Sequence, residues 1–209
     1  MGKLNIAPTK SNLLELKRQL AFAEEGYDLL EQKRQILIFE LMNRMGRARE
    51  AQQNIAEALR LAFAALSEAR LDNGSEGLDR AILAVKIDHQ INISDQYLMG
   101  MSIPSVTVET ESVTPQFGVG GTSANTDVAM RRFVELLPML AELAELENAV
   151  LRLATELRKT QRRCNALSKI FMPDYKETIS YITGSLEERE RESFVIMKMI
   201  RDRLEQSSS

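Results

Sequence analysis

The chain is 209 residues long with 27 Lys+Arg against 30 Asp+Glu, a net charge of −3 that argues against non-specific nucleic-acid binding. Leu (27), Glu (22), Ala (20) and the basic residues fill nearly half of it, the composition of long helices or coiled coil. One cysteine, Cys164, excludes an internal disulfide, and one histidine, His89, excludes metal sites built on two or three histidines.

From about residue 10 to residue 71 there is no proline, and apolar residues recur at alternating three- and four-residue steps. The seam runs Leu13, Leu16, Leu20, Ala23, Tyr27, Leu30, Arg34, Leu37 and Leu41, then Met45, Ala48, Gln52, Ile55, Leu59, Ala62, Leu66 and Ala69. Only Arg34 and Gln52 interrupt it. A stripe held this long predicts a coiled-coil helix of roughly 90 Å, which needs a partner to cover it. Two consecutive four-residue steps, Leu37 to Leu41 to Met45, form a stutter that locally unwinds the supercoil.

Residues 72–127 change character. They hold six of the ten glycines and carry eight acidic residues against two basic ones, Arg80 and Lys86. Asp72-Asn73-Gly74-Ser75 ends the first helix, and a short helix follows near Gly77–Lys86. Val106 to Glu111 alternates with period two, the pattern of a strand with one wet face. With turn signals at Thr114-Pro115 and Gly118–Gly121, the segment reads as a small head with a β-hairpin or loop.

From residue 128 onward the pattern is helical again. Leu136, Leu140, Leu143, Val150, Leu153, Leu157, Cys164, Leu167 and Phe171 form a second stripe. Ile179, Ile182, Leu186, Met197, Ile200 and Leu204 extend it. Pro138 should lie in a first turn or cause a kink, and Pro173 should bend or break the helix. The expected fold is all-α dominated: a long antiparallel two-helix coiled coil of an N-terminal arm (1–71) and a C-terminal arm (128–209). A small head (72–127) containing a short β-hairpin joins the arms.

Catalytic chemistry finds little support. Phe117 to Thr122 lacks the Lys-Ser/Thr that a phosphate loop requires, so it reads as a flexible loop. His89 follows Asp88 but has no nucleophile beside it, and Cys164 falls on the apolar stripe as a packing thiol. Glu187 to Glu192 alternates in sign around a helix and reads as a solvated or partner-facing surface. The ten methionines read as adaptable packing. No cofactor or metal is expected. The opening MGKLNIAPTK has neither the apolar core of a secretory signal nor an N-myristoylation pattern, and no apolar run of about 18 residues occurs. The expectation is a cytoplasmic chain without a membrane span.

Three blocks resemble one family, the D subunit of the V-type and A-type (V/A) rotary ATPases. The first is Pro8-Thr9-Lys10, Leu13-Leu14, Leu16-Lys17, Leu20, Ala23, Gly26, Leu29-Leu30 and Lys33-Arg34. The second is Leu143-Ala144, Glu147, Leu153, Glu156, Lys159-Thr160, Arg162-Arg163 and Asn165-Ala166-Leu167. The third is Pro173, Ile179, Ile182 and Leu186 through Glu192. The resemblance implies a non-catalytic central rotor shaft whose paired arms enter a ring of three A and three B subunits. It further implies binding to the small F subunit and to a funnel-shaped C/d subunit that couples the shaft to the membrane rotor ring. The head hairpin is where the family is thought to influence ATPase activity. In that role Arg162, Arg163, Arg189, Glu190 and Arg191 are expected to face the stator ring or the F subunit through weak, reversible ionic contacts. The competing reading is that these charges only solvate the helices of a coiled-coil adaptor unconnected with ATPases.

Overall fold

Stripes of this kind fold by covering one helix with another, and the computed structural model of the chain pairs them in that way. It describes Gly2 and residues 4–85, 90–109 and 122–207. The elements are α1 (Lys10–Ala84), β1 (Gln90–Leu98), β2 (Met101–Glu109), α2 (Ala124–Ala166), a π-helical turn (Leu167–Phe171) and α3 (Met172–Ser207). His89, Thr110, Glu111 and the glycine-containing run through Gly121 lie outside the described residues.

The chain divides into two compact units, one of Met1–Ile36 with Leu157–Ser209 and one of Leu37–Glu156. In the first unit the helices run antiparallel, because partners fall in number on one side as they rise on the other. Lys10 Nζ meets Glu190 at 2.9 Å, Glu24 meets Lys176 at 2.9 Å, and Arg34 donates to Gln161 at 2.8 Å. Leu16 and Ile182 are almost fully buried in this unit, as Leu37 and Leu153 are in the other. Burying one such side chain contributes about 1.5–3 kcal/mol. The N-terminal segment ahead of α1 lies along α3: the Leu4 N–H donates to Thr178 Oγ1 at 3.1 Å, and that hydroxyl donates to Asp174 O at 2.7 Å.

Within the second unit the pairing is again antiparallel. Arg47 meets Glu142, and Phe63 packs edge-on against Phe133 with ring centroids 5.6 Å apart. The buried seam there is rich in alanine, with Ala62, Ala69, Ala129 and Ala149 fully or nearly enclosed. Along α1 every predicted seam position is buried or half-buried except Gln52. Gly74 breaks the helical backbone of α1 (φ 67, ψ 168), and the following turns reach Ala84.

Proline behaves differently at its two helical positions. Pro138 lies inside α2 rather than in a first turn, and the helix continues through it. Pro173 stands at the start of α3, directly after the π-helical turn, where the Met172 N–H reaches Leu167 O. A proline ring clashes with the carbonyl four residues back, here Lys169, and the wider π turn absorbs that clash without ending the helix.

The hairpin pairs β1 with β2 from Gln90↔Glu109 to Leu98↔Met101. Its loop is Met99-Gly100 with φ of 52° and 79°, both left-handed as a two-residue type I′ turn requires. The strand thus begins at Met101, ahead of the alternation seen from Val106, and its partner lies upstream.

Candidate functional site

With no group of three His, Cys, Asp or Glu placed to hold a metal among the described residues, the surfaces carry the functional argument. No described helix is long and apolar enough to cross a membrane. Arg162 and Arg163 are exposed on α2 and make no ion pair or hydrogen bond among the described residues. Arg189 donates to Pro8 O at 3.3 Å, and Glu190 pairs with Lys10, so these two tie the start of the chain to α3. Arg191 reaches Glu188 at 3.9 Å on its own helix. The α2 pair and the α3 trio lie at different levels of the first unit, opposite Arg34 and Lys10 respectively.

At the level of the α2 pair the seam contains a polar layer. Arg34 occupies a seam position, donating to Gln161 and pairing with Glu31 on its own helix, while its Nε is buried without a partner. A polar residue in an apolar seam fixes which turn of one helix faces which turn of the other, at some cost in stability. Cys164 lies beside this layer. Burial, and then the Glu31 carboxylate, pushes its thiol pKa above the ordinary value, against a smaller opposing pull from Arg34.

Beyond Leu186 the second stripe continues but its cover ends. Phe194, Val195, Ile196, Met197, Met199, Ile200 and Leu204 are all more than half exposed. At 100° per residue these positions fall on nearly every side of α3, and a helix apolar all round is one that something encloses. No sequence signal separates them from the covered residues before them, because their spacing is the same.

The second unit presents its own features. Asn73 donates to Thr126 Oγ1 at 2.6 Å, and Asn125 donates to Asp72 at 2.7 Å, so the break at Gly74 is clamped to the first turn of α2. Leu59, Leu66, Leu78, Ile82, Met130 and Phe133 help line an apolar groove of about 430 Å³. The hairpin rests on α2 by one edge. Glu145 Oε2 accepts from the Val106 N–H at 2.8 Å and from Ser105 Oγ at 3.1 Å, and Arg152 Nη1 donates to Ser102 O at 2.6 Å. Ile103 is buried beneath it, whereas β1 is exposed from Gln90 to Tyr97. Sequence patterning does not single out Glu145 and Arg152, which carry no motif; only their place two turns apart on α2 relates them.

Comparison with known proteins gives a consistent result over nearly the full chain. A family described as the ATP synthase D subunit matches residues 12–202. The A-type ATP synthase D subunit of Methanosphaera stadtmanae is 36% identical over 204 residues, covering 96% of this chain and 95% of its own length. The V-type ATP synthase D subunit of Thermotoga neapolitana is 34% identical over 201 residues, covering 96% and 99%. That of Thermococcus sibiricus, also from an A-type ATP synthase, is 37% identical over 209 residues, covering 97% and 96%.

Proposed function

This chain belongs to the ATP synthase D-subunit family, and from that premise we propose that it is the non-catalytic central rotor shaft of a V/A-type ATPase. It transmits torque between ATP hydrolysis or synthesis in a ring of three A and three B subunits and ion transport by the membrane rotor ring. The ion, proton or sodium, is selected in the membrane ring. The chain itself makes and breaks no bonds, and it belongs to the peripheral, cytoplasmic sector of the complex.

The observation that carries the reading is the family match across both helical arms, residues 12–202. The physical design supports it. Torque needs resistance to twisting, and antiparallel helix pairs with an apolar seam and a registering polar layer supply that within each unit. A rotor must also touch many wall positions without holding any of them. Exposed, unpaired arginines such as Arg162 and Arg163 give contacts worth only about 0–1 kcal/mol each. The arms 1–71 and 128–209 form the shaft, and the acidic head 72–127 is the part that meets a different partner. Arg162, Arg163, Arg189, Glu190 and Arg191 belong to the surface facing the ring or the small F subunit. The apolar end of α3, from Phe194 to Leu204, suits an enclosing socket such as the ring of A and B subunits that the paired arms enter.

The test is reconstitution. Mixed with A and B subunits, the chain is expected to form a complex with altered ATPase activity, and a small F-like subunit is expected to copurify with it. Failure to form any such complex defeats the proposal.

A further inference from the structure

The two edges of the hairpin meet different surroundings. A two-residue loop makes Leu98↔Met101 a hydrogen-bonded pair, and pairing alternates from there. Ser102, Pro104, Val106 and Val108 therefore turn their backbone groups away from β1, toward the edge that α2 covers. Glu145 takes up the Val106 N–H there, Arg152 takes up the Ser102 carbonyl, and Pro104 has no N–H to leave unpaired. By the same alternation Ile91, Ile93, Asp95 and Tyr97 point their N–H and C=O groups outward from the β1 edge. None of the described residues pairs with them. β1 also lacks the proline, bulge or lysine that usually discourages strand pairing at an open edge.

Side chains and charge agree with the backbone. Ile91, Ile93 and Tyr97 are 63%, 71% and 80% exposed, and they share one face with Val106 and Val108. The opposite face carries Gln90, Asn92, Ser94 and Thr107, with Leu98, Met101 and the buried Ile103 toward the turn. A two-stranded hairpin alone is marginal in water, and this one, held to α2 along β2, leaves the β1 half of that face to solvent beside an open edge. Asp95 lies in the middle of that face, in a segment with eight acids and two bases.

We infer that the β1 edge receives an extended segment of a partner protein as a third strand. The segment has apolar side chains at alternate positions and a Lys or Arg opposite Asp95. Backbone hydrogen bonds to Ile91, Ile93, Asp95 and Tyr97 hold it, and the apolar face selects its alternation. The inference goes beyond the proposed function and takes from it only the proteins to be tried.

The experiment is backbone amide exchange on the full chain, free and mixed with A, B and F-like subunits. Strand addition slows exchange at Ile91, Ile93, Asp95 and Tyr97 by at least about tenfold, because these N–H groups leave water. Ile93→Pro removes one outward N–H while keeping the β1–β2 ladder, and Asp95→Lys reverses the charge. Each is expected to abolish the slowing while Asn92 and Ser94 keep the protection of the ladder. A complex whose four outward amides exchange at the free-chain rate overturns the inference and leaves the function intact. Protection that appears in the chain alone as its concentration rises also overturns it, since that marks pairing with a second copy. If no complex forms, the functional proposal fails separately. The inference is then decided by a synthetic nonapeptide alternating Val and Thr with Lys in place of the central Val. Slowed exchange at the four amides supports it, and unchanged exchange overturns it.

Discussion

Arg162 and Arg163 differ from Arg189 and Glu190 in having no partner among the described residues. Arg189 and Glu190 are tied to Pro8 and Lys10, whereas the α2 pair is exposed and unpaired. Reversing both to Glu is therefore expected to leave helix content and unfolding midpoint unchanged while weakening assembly or ATPase coupling. Unchanged assembly and unchanged coupling would sink the role given to them. Cys164 is the opposite kind of residue, enclosed in the seam. Its folded pKa lies above the ordinary thiol value of 9.0, chiefly through burial and then through Glu31. The native thiol consequently stays protonated at neutral pH and reacts with a disulfide reagent at least about tenfold more slowly than in urea. The sign of the pH effect follows. Its contribution to stability is complete below the unfolded value, and it declines as pH rises past 9.0, because the unfolded chain then releases the proton first. Urea midpoints measured on both sides of that value, with Cys164→Ala as the reference, give the difference.

At the scale of elements, glycine separates backbone necessity from mere permission. Gly74 holds φ 67 and ψ 168, a region essentially restricted to glycine, with open space where a Cβ would stand. Gly74→Ala is thus expected to cost about 1–3 kcal/mol through strain alone, and to loosen the Asn73–Thr126 clamp. Gly46 also has open space but helical backbone, so Gly46→Ala should stabilise by up to about 1 kcal/mol. Urea unfolding of the two variants should move in opposite directions. The difference also marks what a sequence reveals. The seam from Leu13 to Ala69 is legible because helix burial repeats every three or four residues, and Asp72-Asn73-Gly74 announces a break by composition. The π turn is less legible, since Pro173 signals an obstacle without specifying how the backbone absorbs it. The hairpin turn at Met99-Gly100 is hidden because methionine at φ 52 gives no turn signal. Glu145 and Arg152, which hold the hairpin to α2, are ordinary members of a charged helix until β2 is in place.

For the molecule as a whole, periodicity records that a face is to be covered and says nothing about what covers it. Ile179, Ile182 and Leu186 are covered within the chain, while Met197, Ile200 and Leu204 continue the same spacing in the open. The ties of α3 to the start of the chain lie at Arg189 and Glu190, where Pro8 and Lys10 are held, ahead of the exposed apolar run that begins at Phe194. A chain truncated after Glu192 is accordingly expected to keep its unfolding midpoint within about 2 °C, since 1 kcal/mol corresponds to roughly 2–4 °C at this size. The full chain, with apolar groups on nearly every side of that helix, should self-associate as concentration rises, and the truncated chain should not. If the socket proposal is right, truncation weakens assembly with A and B subunits while binding to a funnel-shaped C/d subunit persists. A midpoint lowered by several degrees would show instead that the apolar end of α3 packs within its own chain. Sedimentation and thermal unfolding of the two chains, side by side, separate a surface reserved for a partner from one that belongs to the fold.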